Sequence, residues 1–564
     1  MKPLIEASCK RWPIAVAAAL LLASCGGSGH NSTSVPDAIM QVMQKPAYKG
    51  ATWAMQVVDV DTGHVIYDLN SGSQLFIASV RKVFTTGNAL NILGAQHTHV
   101  TPVYKQGTVD ANGALNGNLI MVARGDLTMG GRANPDGTIA LTAFDHNEAD
   151  GLGNALLSVP DPLAGFNAIA AQVAAAGIKT VNGDVVIDDR LFDAFQYRDE
   201  TGFNVTPMMV NDDVVDISFS PSAQGAHLPF TYRPMSAAFS VQSTLTTGAA
   251  TSDFAVDLNP EPPDDVPQCL GAANCMGEVS GTVPAGVPPP LTGAYPLVRT
   301  FRVSRPSTYA RTVFIEALAR AGVTVTAAPL EANPVALLPA QGSYSSAQQV
   351  AALTSAPYAQ DLRFVNKVSY NIGADVTLLL YGLAKNGSRT MATALATEQS
   401  ELSSTFKITP DQYHFEDGSG GDTTATATAV IAMLRGMRLM PDYATYVDTM
   451  PSLGVDGSLT TVTDFESDPT LAGAKGRVYA KTGTYVGLST TASQTPFLKA
   501  QALAGYIDAK SGRRIAFFLT MNNAVFEGFP TVLNAFQDEG EIAALLWKLQ
   551  WRCGFAHRFR LSLR

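Results

Sequence analysis

Residues 78–94 read ASVRKVFTTGNALNILG, and the fold turns on this stretch. Val80, Val83, Phe84, Ala89, Leu90 and Leu93 recur at helical spacing, which predicts a buried helix over 79–93 with Ser79 at its N-terminus. Ser79 and Lys82 stand three positions apart, so on that helix they share a face and the amine comes within reach of the hydroxyl. A serine hydroxyl is a weak nucleophile until a base takes its proton, and no G-x-S-x-G elbow points to a histidine-dependent hydrolase. Lys82 is therefore the candidate base. A lysine amine is protonated at neutral pH, so this role requires burial or a neighbouring cation to lower its pKa.

Two further motifs follow in order, Ser369-Tyr370-Asn371 and Lys481-Thr482-Gly483-Thr484. An S-x-x-K pattern recurs at Ser404–Lys407, but it lies behind Ser369 and so cannot open the series. Ser369 is expected to relay a proton to a leaving amine, and Asn371 to orient Lys82 or a substrate amide. Lys481 supplies the second cation. The Lys481 segment is expected to be an edge strand along which an extended peptide pairs, with its glycine admitting the substrate backbone. Lys481 with the Thr482 and Thr484 hydroxyls would hold a terminal carboxylate, and the backbone N–H groups of Ser79 and Thr484 would form an oxyanion hole.

The three motifs in this order resemble the signature shared by penicillin-binding proteins and class A β-lactamases. Arg124-Gly125-Asp126-Leu127-Thr128, Asp417-Gly418-Ser419-Gly420 and Gly454-Val455-Asp456-Gly457-Ser458 extend the likeness over about Pro36 to Leu549. The whole is similar to the D-alanyl-D-alanine carboxypeptidase/endopeptidase family of class C penicillin-binding proteins. That resemblance implies a β-lactamase/transpeptidase-like α/β (α+β) fold. It also implies an acyl-enzyme on Ser79 and, as partners, peptidoglycan peptides and β-lactams; no cofactor is expected, and no CxxC or HExxH spacing supports a metal. The 290 positions from Ser79 to Ser369 fit a family that inserts extra domains there. Tyr370 stands where the family usually has Asp, and Leu127 where it usually has Pro, so substrate detail is less constrained than reaction class. A β-lactamase or esterase on the same scaffold, or a non-enzymatic peptidoglycan-binding lipoprotein, would be told apart by the lifetime or absence of a penicillin adduct.

Around this centre the chain divides by texture. Residues 1–24 read as a lipoprotein signal peptide: Lys2, Lys10 and Arg11 precede a short apolar run that ends in Leu22-Ala23-Ser24-Cys25, with Cys25 the lipidation site and the membrane anchor. A flexible tether covers 25–36. Residues 37–98 and 299–550 are expected to form the catalytic domain, 99–298 an inserted β-rich region, and 551–564 a basic tail. Within the insertion, Pro260 to Pro296 reads as loop because Pro and Gly crowd it. Cys269 and Cys275 are expected to close a local disulfide in an oxidising compartment, bacterial and extracytoplasmic or periplasmic. The Asp417 and Asp456 segments are read as structural turns, and the eight histidines share no ligand spacing. Across 564 residues, 46% hydrophobic and 15% charged, the composition is that of a globular protein. The net charge of −10, without a Lys/Arg stripe in the body, excludes nucleic acid as a natural partner.

Overall fold

The computed structural model describes residues 34–198, 202–260, 267–289, 291–488, 496–526 and 528–549. The signal peptide, Cys25 and the basic tail lie outside these residues. The first sheet contains β1 (Thr52–Asp59), β2 (Val65–Leu69), β3 (Val478–Leu488), β4 (Pro496–Asp508) and β5 (Arg514–Asn522), in the antiparallel order β2-β1-β5-β4-β3. Its central strands read as continuous apolar runs because both faces are covered. Along β4, Ala502, Ala504 and Tyr506 enter the core on one face, while Leu503 and Ile507 enter the core on the opposite face. The two-residue period of a strand produces this division. A long terminal helix, Phe529–Leu549, covers that second face.

Helix α1 (Lys82–Leu93) and helix α2 (Asn371–Asn386) form the layer on the first face. Nine of the twelve α1 residues are buried, the polar Lys82, Thr85, Thr86 and Asn88 among them, so the helix is enclosed inside the domain. Beside this unit a second core is built on a sheet in which Ala114–Val122 pairs with Val100–Val109, and Val100–Val109 pairs with Gln349–Thr354. The helix Pro306–Arg320 and the strand Thr324–Val325 also belong to this second unit. The chain therefore rejoins the catalytic layer at the helix Tyr358–Lys367, and the packing does not change at residue 299 as expected.

The loop expected over Pro260–Pro296 is corrected in part. Met276–Pro284 is the middle strand of a four-stranded sheet, flanked by Ser240–Ser243, Thr246–Gly248 and Ala255–Asn259. Val279 and Val283 point into the core from among Gly, Ser and Thr, a two-residue period that the surrounding prolines hid. Just before it, Cys269 and Cys275 are joined in a disulfide.

Candidate active site

Ser79, the expected nucleophile, lies in a tight turn. Ala78–Arg81 form one turn of 3-10 helix that leads into α1, so the α-helix begins at Lys82 and Ser79 precedes it. Ala78 takes φ +43°, a left-handed conformation that non-glycine residues adopt under constraint from their surroundings. Ser79 stays half-exposed while Lys82 is fully buried. The Lys82 Nζ lies 2.8 Å from Ser79 Oγ, 2.6 Å from Asn371 Oδ1 and 2.8 Å from the Ser419 carbonyl oxygen. A neutral amine has two N–H donors and one lone pair. Asn371 Oδ1 and the Ser419 carbonyl accept only, so they take the two donors and leave the lone pair for the Ser79 hydroxyl proton. Burial pulls the Lys82 pKa down to about 7, and the Arg198 guanidinium adds to the effect against the opposing pull of Asp417, Asp375 and Glu148.

Ser369 is also in the left-handed region, at φ +67°, and its Oγ accepts a 2.9 Å hydrogen bond from Lys481 Nζ. Lys481 donates as well to its neighbour's carbonyl, Thr482 O, at 2.7 Å. Burial and the proximity of Lys82 hold its amine well below the usual lysine range. The segment is the edge strand β3, with Lys481 opposite Ala504. The Thr482 hydroxyl shares a 2.8 Å bond with Ser458, and the Thr484 hydroxyl donates at 2.9 Å to Gln501 Oε1. Gly483 has a role beyond the one expected. A Cβ there would stand 2.3 Å from Ile77 O and 3.2 Å from Ser79 N, so glycine is what lets β3 lie against the nucleophile turn.

The structure thus gathers Ser79, Lys82, Ser369, Asn371 and Lys481 in one cluster, with Thr482, Gly483 and Thr484 following on β3. It adds residues that spacing did not reveal. The Asp417–Gly420 turn, read from sequence as structural only, delivers the Ser419 carbonyl to Lys82, while Asp417 accepts from the backbone N–H of Ser419 and Gly420. Asp375, four residues after Asn371 on α2, accepts from Gly418 N at 2.9 Å, and burial beside Asp417 pushes its carboxyl up to about 7. From the inserted region, Arg198 donates to Ser419 Oγ at 2.7 Å and Glu148 accepts from Asn371 Nδ2 at 2.9 Å. These two partners lie 221 and 223 positions from the residues they touch, and no local signal marks them.

Tyr370 is buried, stacks on Phe364 at 4.6 Å and donates to Asp212 O at 3.3 Å, so the residue that departs from the usual Asp faces the insertion. Among the described residues, one group of metal-ligand type occurs, Asp145, His146 and Asp212. Arg132 occupies it as a counter-ion, donating at 2.7 Å to Asp212 and at 2.9 Å to Asp145. Burial opposes charge on His146, but Asp216, Asp145 and Asp212 raise its pKa to about 10, and the cluster is a buried ion network.

The chain is similar to known proteins over most of its length. Residues 35–535 match the D-Ala-D-Ala carboxypeptidase 3 (S13) family. A D-alanyl-D-alanine carboxypeptidase of Actinomadura sp. (strain R39) is 27% identical over 522 residues, covering 88% of this chain and 82% of the relative. The crystal structure of penicillin binding protein 4 from Haemophilus influenzae superposes with a TM-score of 0.64 at 19% identity, covering 90% of this chain and 99% of the other. The same protein complexed with a β-lactam gives 0.62 at 18% identity, with the same coverage of 90% and 99%. The match spans both structural units and all three motifs, and the chain belongs to the D-Ala-D-Ala carboxypeptidase 3 (S13) family of serine peptidases.

Proposed function

We infer that this chain hydrolyses the D-Ala-D-Ala bond of peptidoglycan stem peptides through an acyl-enzyme on Ser79. One observation carries the inference: a buried lysine, brought near neutrality, keeps its third hydrogen-bonding position for the serine hydroxyl. Lys82 takes the Ser79 proton as Oγ attacks the scissile carbonyl, and the leaving amine is protonated through Ser369, which Lys481 holds in place. Water then releases the acyl group, and a β-lactam enters by the same attack on its ring carbonyl. Cleavage of D-Ala-linked cross-bridges, a DD-endopeptidase activity, needs only an acyl donor that continues beyond the scissile bond, and the edge strand β3 supports such an extended substrate.

The location is part of the same proposal. Cys25 behind its small-residue cleavage pattern supports lipidation after export, which would hold the enzyme on a bacterial membrane facing the cell wall. The test is intact-mass measurement after exposure to benzylpenicillin, with peptide mapping. One adduct on Ser79, absent from Ser79→Ala, is expected. Labelling that persists in Ser79→Ala, or maps to Ser404, would overturn the assignment.

A further inference from the structure

Glu148 comes from the inserted region, where Asp145, His146, Asn147 and Glu148 make a single 3-10 turn and its cap. The turn is clamped from several sides. His146 pairs through Nδ1 with Asp216 at 2.6 Å and through Nε2 with Asp212 at 2.7 Å. Asp145 pairs with Arg132, whose guanidinium lies 4.1 Å over the Phe364 ring, and Phe364 in turn stacks on Tyr370, the neighbour of Asn371. These contacts tie the turn to the catalytic helices and deliver the Glu148 carboxylate to Asn371.

We propose that Glu148 is a positioning residue that sets the orientation of the Asn371 amide and thereby keeps the Lys82 lone pair free for Ser79. The inference rests on the acyl-enzyme reading above. An asparagine amide presents an acceptor on one side and a donor on the other, whereas a carboxylate only accepts. With Glu148 on the Nδ2 side, Oδ1 must face Lys82 and accept one of its N–H groups. The flipped amide would set Oδ1 against the carboxylate and aim Nδ2 at the Lys82 nitrogen. That donor would compete with the Ser79 hydroxyl for the lone pair, and the base would be lost without any change in its position. Glu148 also acts through charge. Lys82 is faced by Arg198, which disfavours its protonation, and by Asp417, Asp375 and Glu148, which favour it, while Lys82 in turn disfavours a proton on Lys481. Removing the Glu148 charge alone should therefore ease deprotonation of Lys82, opposite in sign to the effect of losing its acceptor.

The two contributions separate in Glu148→Ala and Glu148→Gln, because glutamine keeps an acceptor oxygen and drops the charge. The rate of Ser79 adduct formation with benzylpenicillin is followed by quenched intact mass from pH 5 to 9, with thermal unfolding as a check on folding. Glu148→Ala should lower the plateau rate at least about tenfold. Glu148→Gln should recover most of that loss, and its acid limb should lie at lower pH than in the wild type. Equal plateau rates in Glu148→Ala and the wild type, or a Glu148→Gln plateau as low as that of Glu148→Ala, would overturn the proposal. So would an acid limb in Glu148→Gln that coincides with or lies above the wild-type limb. Failure of the wild type itself to form a Ser79 adduct would overturn the acyl-enzyme reading and this inference together.

Discussion

Lowering the pH should slow acylation through Lys82, and the structure sets the size of the effect. A lysine left at its ordinary pKa would be neutral in about one molecule in three thousand at pH 7. With its pKa brought down to about 7, Lys82 is neutral in roughly half. The active form is the neutral amine, so activity is present above the folded pKa and lost as pH falls through it. Acylation by benzylpenicillin should then run flat above about pH 8, fall to roughly a tenth of its plateau at pH 6 and to roughly a hundredth at pH 5. Asp375 titrates in the same range, at about 7, so the limb needs an owner. Asp375→Asn supplies the control. Asp375 favours protonated Lys82, so its neutral replacement should move the limb to lower pH and leave its slope intact. A wild-type rate independent of pH between 5 and 8 would refute lysine as the base, and a limb that vanishes in Asp375→Asn would transfer it to the carboxyl.

Two further outcomes test the scaffold. Arg81 is buried inside the first motif, where it pairs with buried Glu398, donates to Asp417 O at 2.9 Å and lies over Phe415. Arg81→Ala leaves Glu398 without its counter-ion and should lower stability by about 3–5 kcal/mol in urea unfolding, and a loss under about 1 kcal/mol would contradict the pairing. Glu539 is buried behind β3, accepts from Gln501 Nε2 at 2.9 Å, and is pushed up to about 8 by burial. Its folded pKa lies above the unfolded value, so its contribution to stability is full below the unfolded pKa and declines as pH rises towards 8. Glu539→Gln should remove that decline, which is read as a wild-type Tm falling relative to the variant between pH 5 and 9; parallel curves would contradict it.

Much of the catalytic unit was legible because its residues act through short spacings. Ser79 and Lys82 meet within one turn, and the apolar positions of 79–93 repeat with the helix. The apolar runs Ala500–Asp508 and Arg514–Met521 carry strand character in the sequence itself and lie within β4 and β5. The strand Met276–Pro284 was missed because its two inward valines are set among glycine, serine and prolines, whose local preference is for turns. Gly483 was read as room for substrate, and only packing shows that it also makes room for the Ser79 turn.

By itself the sequence determined the reaction class, since nucleophile, base and second cation are named by motifs whose order along the chain is chemically informative. The tertiary structure alone decided the state of those groups. Lys82 is brought near neutrality by complete burial and by Arg198, and its lone pair is directed by the Ser419 carbonyl and by an Asn371 amide that Glu148 orients. Burial and charge fields sum over every segment packed around a group, and these come from parts of the chain more than two hundred residues apart. No local window contains them, because a pKa and an amide orientation are properties of the assembled surroundings.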